Sequence, residues 1–379
     1  MYRVEAVYTE NGVTHTEVIH GSKLDLTARI ARGTLKEFVN AVPTFSFVVY
    51  PNNPGYDVMH NKLTKVTVTD TDAEEDIFIG LVGSVGDVMS DDGILYKNII
   101  CKGELDYLNN VIITRFTATS GSFLQAAVNS VLTQYNLKAS TSKKIQNYSS
   151  AGTIGLPAAY EANYKSAAAI VKELCEMCGY EYKITYENGV RYLEVSPNFG
   201  EDSSTEIALS VNLQSMQRTV EASNIITRYY PLGAVNPNSS VGARLRITGT
   251  GYLQNAELEA KYGVCEMAVV YDDIEPSDWE SSAAISNAQD RLRAVGQKDY
   301  NKIVGTLTSF SIKAVDLSFI DGKYAPLKVY NTYRVINKLQ SIDEKVRLTG
   351  RTLNIDDPYN PTLTFGEKQT TLTSIIAGR

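Results

Sequence analysis

Histidine, cysteine and carboxylate side chains are the groups of this chain that could perform chemistry, and their spacing limits what they could do. His15 and His20 are five residues apart in a predicted hairpin strand. An odd separation places strand side chains on opposite faces, so the pair is not expected to bind one metal ion. Cys175 and Cys178 form a CxxC pair late in an apolar helical pattern, far from every histidine. Both thiols are therefore predicted to be ordinary helix residues rather than a zinc or redox site.

Acidic residues are dense enough in two places to be considered as catalysts. The segment Asp272–Asp278 holds four acids around Pro276, and it is interpreted as a solvated loop that favours the N-terminus of a following helix. Asp356-Asp357-Pro358 is a turn signal. Because the chain has 43 acidic residues, motif alone does not exclude a pair of carboxylates of the glycosidase type. A hydrolase of bacterial cell walls therefore stays open as an alternative.

Nucleotide, zinc-protease and serine-hydrolase motifs are missing from the sequence. There is no GxGxxG or GxxxxGK[ST], no HExxH and no GxSxG, and each of these spacings carries a specific chemistry. The order of the chain, with every cysteine after every histidine, also differs from that of the Cys–His hydrolases that act on cell walls. We therefore assign no catalytic, cofactor-binding or metal-binding residue, and expect no enzyme activity and no cofactor.

Composition favours a large β-rich protein without nucleic-acid specificity. The 379 residues are 43% hydrophobic, the net charge is -7, and tyrosine occurs 24 times. Tyrosine suits half-buried strands, and the length suggests two or three domains. No basic run is present, which argues against specific binding of nucleic acid. The N-terminus does not have the pattern of a secretory signal, and no apolar run is long enough to span a membrane, so a soluble protein made in a cytoplasm is expected.

Short strands separated by turn signals fill the first 101 residues, which is typical of a barrel or sandwich. Asn11-Gly12 is a hairpin signal. Thr44–Tyr50 alternates apolar residues on one face, and Pro51–Pro54 ends its pairing because proline has no N–H to donate. Ile77–Val82 lacks alternation, which indicates a strand covered on both faces or one with a bulge at Gly80.

Helical spacing appears in the middle of the chain. Leu124, Val128, Val131 and Tyr135 share one face of a predicted helix whose N-cap would be Ser122. A second helix is predicted over Ala162–Cys178, ended by Gly179, and a hairpin over Tyr180–Ser196. Leu24–Ile30 is a further predicted strand within the first 101 residues. The later elements are predicted as five strands, a loop and a helix: strands Asn224–Tyr230, Ala243–Thr248, Gly305–Val315, Thr332–Ser341 and Lys345–Ile355, loop Pro231–Gly242, and helix Trp279–Val295.

The predicted fold class is α+β and mainly β, with two tube-like β-barrel domains and α+β insertions. Residues 1–116 would form the first barrel, and 117–214 an insertion of two helices and a hairpin. Residues 215–250 with 325–379 would form the second barrel. Residues 251–324 would form an insertion with one helix and strands.

Four strand motifs in a fixed order resemble a known family. NAVPTFSFVVYPNNPGYD at Asn40–Asp57 is followed by the T-x-V-x-V strand at Lys65–Thr69, by IFIGLVGSV at Ile77–Val85, and by Cys-x-Gly-x-Leu-x-Tyr-Leu at Cys101–Leu108. This order is similar to that of phage minor tail proteins of the tail-associated lysin or prophage tail endopeptidase group, in their N-terminal baseplate-hub region. None of the motifs is catalytic.

The resemblance implies a structural hub of the virion tail. Three copies would form a ring that joins and closes the tail tube, with the tail tube or distal tail protein and the tape measure protein as partners. The acidic balance would let DNA pass by like-charge repulsion. Longer members carry a lytic domain or a fibre after the hub, and this chain ends soon after Phe365-Gly-Glu-Lys368, so such an activity is not expected. The remaining alternative is an adhesin that binds carbohydrate through tyrosines such as Tyr229 and Tyr230.

Overall fold

The protein is mainly β with few helices. The computed structural model describes residues 2–21, 28–149, 154–157, 159–220, 225–305 and 308–366. The strands are β1 (Tyr2–Glu10), β2 (Val13–His20), β3 (Ala31–Phe38), β4 (Thr44–Val49), β5 (Lys65–Asp70), β6 (Glu75–Met89), β7 (Leu95–Gly103), β8 (Ile112–Ala118), β9 (Gln146–Ser149), β10 (Tyr160–Ser166), β11 (Glu181–Glu187), β12 (Val190–Ser196), β13 (Ile207–Ala208), β14 (Leu213–Val220), β15 (Arg228–Val235), β16 (Arg244–Arg246), β17 (Leu253–Gln254), β18 (Glu266–Val270), β19 (Thr308–Ala314), β20 (Thr332–Asn337), β21 (Ile342–Asn354) and β22 (Thr362–Phe365). The α-helices are α1 (Leu124–Lys138), α2 (Ala167–Cys178), α3 (Ala256–Tyr262) and α4 (Ser282–Gly305), and short 3₁₀ helices cover Glu104–Asn110, Thr141–Lys143, Leu317–Phe319 and Lys338–Gln340.

The chain folds into two compact units. The main unit comprises Met1–Ser215 and Ile312–Thr364, and the second unit comprises Met216–Ser311 and Phe365–Arg379. The chain passes from one unit to the other within β14, β19 and β22. Residues 216–250 lie in one unit with the residues that follow them up to Ser311.

One large sheet dominates the main unit. Its order runs β14-β19-β22-β21-β3-β4-β7-β6-β5-β1-β2, with β20 beside β21 and β13 beside β20. β21 pairs antiparallel with β3, and Leu353 lies opposite Leu35. The C-terminal strands predicted for a second barrel therefore share a sheet with the N-terminal strands.

Strands of the sheet pack against one hydrophobic core. Buried side chains of β1, β5, β6, β7, β4, β3 and β21 meet in one cluster, which includes Val4, Phe45, Phe78 and Leu353. Phe45 and Phe78 lie with their ring centroids 5.8 Å apart, although their strands are separated by β7. Among the described residues no strand pairing closes the sheet into a barrel.

The proline-rich segment after β4 folds back over this core. Phe45, Phe47 and Val49 point into the core, as their alternation predicts. Beyond the strand, the buried Asn53 side chain donates to the carbonyls of Ile19 and Arg29, at 2.8 Å each. These two hydrogen bonds hold the loop down, so it acts as a cover for the core as well as the end of a strand.

Two glycines explain why β6 lacks alternation. A side chain at Gly80 would lie 2.3 Å from the Lys102 carbonyl oxygen of the neighbouring strand, so only glycine fits there. The register shift between β6 and β7 occurs between Val82 and Ser84, at Gly83 rather than at Gly80. The predicted bulge therefore exists, but three residues further along.

Helices α1 and α2 pack in the insertion around their own core, which includes Leu124, Val131, Ile170 and Leu174. α2 begins at Ala167 and not at Ala162, because β10 occupies Tyr160–Ser166 and pairs antiparallel with β8. Phe123 stands at the N-cap of α1 and makes no side-chain cap, so the prediction of Ser122 as N-cap was wrong.

The second unit has a small sheet covered by α4. β15 pairs with β16, β17 and β18, and the core includes Tyr229, Leu253, Leu292 and Tyr300. β15 continues to Val235, so the predicted loop Pro231–Gly242 begins only after it. α4 runs ten residues beyond the predicted Val295. The predicted strands Leu24–Ile30 and Asn224–Tyr230 begin outside the described residues.

Candidate functional site

The two histidines of β2 lie in different surroundings. The His15 ring is partly exposed and stacks on Tyr8 with centroids 5.4 Å apart. His20 is buried. Its Nδ1 accepts from the Ile30 N–H at 3.4 Å, and Arg29 Nη1 lies 3.2 Å from its Nε2. Burial, and then the Arg29 charge, lower the pKa of His20. Among the described residues no three His, Cys, Asp or Glu side chains are grouped so that they could hold a metal ion.

The CxxC pair lies at the end of α2, as its helical pattern predicts. Cys175 is buried in the core of the insertion and Cys178 is partly exposed. Burial raises the pKa of the Cys175 thiol far above its ordinary value. A thiol that stays protonated is a poor nucleophile, so its surroundings are those of a packing residue.

The acidic segments serve local structure. Asp272 is exposed and forms an ion pair with Arg244. Asp278 accepts from the Glu280 N–H at 2.9 Å, and Asp357 accepts from the Asn360 side chain at 2.9 Å. These contacts are typical of turns and loop ends.

Two surface depressions are large enough to hold part of a substrate, so their acidic residues bear on a hydrolase function. One, of about 500 Å³, is lined by residues around Asn255 and Tyr300, and its acid is Glu257. The other, of about 490 Å³, lies among Thr34, Lys313 and neighbouring residues, and its acid is Asp357. Each depression presents a single carboxylate, and a glycosidase mechanism needs two.

The tyrosines considered for sugar binding have partners of their own. Tyr229 is buried, its hydroxyl lies 2.8 Å from that of Tyr271, and its ring stacks on Tyr300 with centroids 5.5 Å apart. The Tyr230 hydroxyl donates to Glu266 at 2.9 Å. Tyr229 is therefore a core residue with no surface to offer a sugar.

A buried ion pair joins the first 3₁₀ helix to a hairpin of the insertion that is distant from it in sequence. Glu104, in the first 3₁₀ helix, has a side chain only 1% exposed, and Arg191 of β12 donates to both of its carboxylate oxygens. Tyr186 and Tyr107 also donate to this carboxylate, Tyr107 at 3.1 Å. Burial and the Glu104 charge raise the pKa of both tyrosines, so both stay protonated as donors. We call these four residues the Glu104 cluster.

The Glu104 cluster also fixes a loop. Arg191 Nη1 donates to the carbonyl of Ser142 at 3.3 Å and to that of Lys144 at 3.0 Å. A single guanidinium therefore links the first 3₁₀ helix, hairpin β11–β12 and the segment after α1. Because each of these groups has partners, the charge is buried without being left unsatisfied.

A second ion pair fastens the insertion to the large sheet. Glu181 of β11 pairs with Arg347 of β21, with an Nη2–Oε2 distance of 2.7 Å. Arg347 also donates to the Phe199 carbonyl at 3.1 Å. Nearby, the Tyr182 N–H donates to the Asn40 side chain at 3.0 Å and the Tyr182 hydroxyl to the Asn40 carbonyl at 3.1 Å. Hairpin β11–β12 is thus held to the large sheet at two points, at Arg347 of β21 and at Asn40, which follows β3.

The buried polar groups of the main unit therefore form joints between elements. Sequence reasoning missed Glu104 and Arg191, because they are 87 residues apart and neither stands in a motif. The observable signal was a pair of acidic residues alternating with apolar ones in Glu104-Leu-Asp-Tyr-Leu108, and it identifies neither the buried acid nor its partner. No helix among the described residues has both the length and the apolar character needed to cross a membrane.

Comparison with known proteins finds similarity to phage tail proteins. Residues 201–376 match the family described as Prophage endopeptidase tail. No curated protein sequence matches the chain.

Solved structures match along nearly the whole chain. A tail protein from Neisseria meningitidis MC58 is 12% identical with a TM-score of 0.64, covering 97% of each chain. The 43 kDa tail protein of prophage MuSo2 from Shewanella oneidensis is 10% identical with a TM-score of 0.63, covering 95% of this chain and 97% of that one. The E. coli c3393 protein, a type VI secretion component described as similar to T4 tail proteins gp27 and gp5, is 8% identical with a TM-score of 0.50, covering 90% of this chain and 74% of that one. At these identities the likeness concerns the fold.

Proposed function

Because the chain is a phage tail protein of the prophage tail group and belongs in the virion tail, we propose that it is the hub of the tail tip or baseplate. In this function three copies form a ring that joins the tail tube to the tip and closes the tube until infection. Its partners are further copies of itself, the tail tube or distal tail protein, and the tape measure protein.

The large sheet of the main unit, with two faces of different character, is the observation that carries the proposal. One face of the sheet is buried against a continuous core. The opposite face presents polar side chains from neighbouring strands, such as Thr34, Lys36, Ser46 and Lys102. A sheet that is apolar on one side and polar on the other can form the wall of a water-filled passage.

The buried ion pairs described above also suit a protein that holds other tail proteins in fixed positions. The Glu104 cluster and the Glu181–Arg347 pair fix the insertion internally and to the sheet. Buried charge pairs with complete hydrogen bonding favour one defined arrangement over others. A hub that receives several proteins needs such fixed surfaces.

The proposal is tested by the size and shape of the purified chain. The expected mass in solution is three times the chain mass of 41.7 kDa, measured by mass photometry and by sedimentation. Electron micrographs are expected to show an end-on ring with a central channel. A chain that remains a monomer at every concentration, or a compact trimer without a channel, would contradict the hub.

The description of the matching family favours a second function, an endopeptidase. The test is digestion of purified bacterial cell walls and of cell-wall peptides by the chain. For a structural hub we expect no release of fragments above buffer. Release that disappears in the double variant Asp272→Asn with Asp273→Asn, but persists in Glu187→Gln, would instead establish a carboxylate-based hydrolase.

A further inference from the structure

The hairpin of β6 and β7 extends past the strands on either side of it. β5 pairs with β6 as far as Leu81, and β4 pairs with β7 as far as Lys97. β6 and β7 continue to pair with each other up to Met89 and Leu95. Among the described residues, the end of β6 after Ser84 therefore has a strand on one side only. Such an edge is open to contact with another chain.

Apolar and acidic side chains share the end of this hairpin. Met89 is 70% exposed, Ile94 53% and Leu95 50%. They surround a turn that also holds exposed acids. We call this set the hairpin surface; it consists of Met89, Asp91, Asp92, Ile94 and Leu95. Asp87, beside it, already forms an ion pair with Lys97 at 3.9 Å. Large apolar residues grouped at an exposed strand end are a liability unless another molecule covers them.

A second exposed apolar region of the main unit carries the opposite charge. Lys62 Nζ donates to the Asn110 side chain at 3.3 Å, and Lys138 Nζ donates to the Ile112 carbonyl at 2.8 Å. The two ammonium groups therefore lie beside one short segment of chain, and each contacts an uncharged oxygen. Among the described residues neither lysine has an acidic partner.

Exposed apolar side chains accompany these lysines. Leu63 follows Lys62 directly and is 75% exposed, Leu137 precedes Lys138 and is 82% exposed, and Ile112 is 47% exposed. We call Lys62, Leu63, Ile112, Leu137 and Lys138 the basic surface. It matches the hairpin surface in character, with three large apolar side chains each, and opposes it in charge.

We propose that the hairpin surface of one copy of this chain binds the basic surface of the next copy. This inference rests on the proposed ring and names the contact that builds it. Within one molecule both surfaces are exposed, so they do not cover each other. A contact between two different surfaces of identical chains is head-to-tail, and head-to-tail contacts close into a ring of three when each copy is rotated by a third of a turn from the last.

The two kinds of side chain have separate tasks in this contact. Removal of the six apolar side chains from water provides affinity, at roughly 25 cal/mol for each Å² buried. The aspartates and lysines set the register and exclude the hairpin from meeting another hairpin, because like charges would then face each other.

Charge reversal tests the contact. The hairpin variant carries Asp91→Lys and Asp92→Lys, and the basic-surface variant carries Lys62→Glu and Lys138→Glu. Each alone is expected to raise the concentration at half-assembly at least ~10-fold in mass photometry, because like charges now meet. A variant with all four substitutions is expected to assemble near the wild-type concentration. Asp72→Lys with Glu74→Lys, in the neighbouring β5–β6 turn, is the matched control and should assemble as the wild type.

Mixing the two reversed variants gives a sharper result. Each hairpin then complements only the basic surface of the other variant, so the two must alternate around a ring. A ring of three cannot alternate. The mixture is therefore expected to give pairs and open oligomers in which the two variants alternate, and no closed trimers.

The failure of this contact and the failure of the hub have different results. If the wild-type chain forms rings and both reversed variants form them at the same concentration, the contact is wrong and the ring stands. The proposed contact is also wrong, and the ring again stands, if the variants form rings but are no longer incorporated into tails. The hairpin surface would then bind another tail protein. A wild-type chain that never assembles contradicts both. Circular dichroism and thermal melting of each variant exclude misfolding as the cause, and Leu95→Ser with Leu137→Ser should weaken assembly at least ~10-fold without any change of charge.

Discussion

The Glu104 carboxylate is almost fully buried and receives hydrogen bonds from Arg191, Tyr186 and Tyr107. Removal of one partner of a buried pair leaves the other charge buried without compensation. We therefore expect Glu104→Gln to lower the free energy of unfolding by about 3 kcal/mol in urea denaturation.

A more exposed ion pair in hairpin β11–β12, the hairpin that contains Arg191, is the control for the Glu104→Gln prediction. Lys183 and Glu194 lie 3.9 Å apart, with side chains 35% and 21% exposed, so Glu194→Gln should cost less than about 1 kcal/mol. The double variant Glu104→Gln with Arg191→Met should be more stable than the sum of the single changes predicts, because no unpaired charge remains. Equal costs for Glu104→Gln and Glu194→Gln would contradict the role of burial.

His20 gives the main unit a dependence on pH. Its pKa in the folded chain lies below the ordinary value, because the ring is buried beside Arg29, and Asp356 opposes this only in part. The unfolded chain therefore takes up the proton first, near pH 6.5, and stability falls as the pH drops from there towards the lower pKa of the folded state.

We expect His20→Asn to reduce this dependence. The Asn oxygen can accept the Ile30 N–H as Nδ1 does, and it does not titrate. Thermal melting at pH 7.5, 6.5 and 5.5 should show a smaller loss for His20→Asn than for the wild type. His15→Asn is the control, and parallel losses in wild type and His20→Asn would show that other groups cause the effect.

At the scale of elements, two serines distinguish a real helix cap from a predicted one. The Ser166 Oγ accepts from the Ala169 N–H at 3.2 Å and caps α2. Ser122 stands one residue before the N-cap of α1, and its hydroxyl contacts Thr119 instead. Ser166→Ala is expected to lower the free energy of unfolding by about 1 kcal/mol, and Ser122→Ala by clearly less. A larger cost at Ser122 would indicate that the start of α1 depends on it.

Local patterns predicted those elements whose own residues determine them. The alternation in β4, the hairpin β11–β12 and the end of α2 at Gly179, where φ is 71°, were predicted from the sequence. The start of α2 was not, because Tyr160–Ser166 obtains its strand structure from pairing with β8, some forty residues earlier. Polar Tyr164 and Lys165 carry no strand pattern of their own, so nothing local distinguishes them from a first helical turn.

At the scale of the whole molecule, assembly through charged surfaces should depend on salt. The chain has a net charge of -7, and general repulsion between copies weakens as salt screens it. The proposed contact of aspartates with lysines weakens as well. We expect assembly to be best near 0.1 M salt and several-fold weaker near 1 M, where the screening length falls to ~3 Å.

The four-substitution variant should show the same salt optimum as the wild type, because its charges are exchanged and still opposite. Assembly that strengthens steadily up to 1 M salt would show that apolar burial alone drives the contact, and would count against the charge pairing. Sedimentation at three salt concentrations measures this.

Sequence reasoning was weakest for features that join distant parts of the chain. It predicted strands at 332–341 and 345–355, close to the observed β20 and β21, but gave no means to see that β21 would pair with β3. The same holds for Glu104 with Arg191 and for Glu181 with Arg347. Which strand or side chain becomes the partner depends on the complete fold, and the local patterns of a single sequence do not identify it.

The pairing of β3 with β21 has a consequence for biosynthesis. Glu37 and Arg351, which form an ion pair across these strands, are 314 residues apart. While the ribosome translates the residues between them, β3 has already left the ribosome, and the edge that pairs with β21 stays unpaired. Chains truncated before Ile342 lack β21 and are thus expected to aggregate through the unpaired edge of β3. A chaperone that covers this edge during translation is expected to increase the yield of the full-length chain.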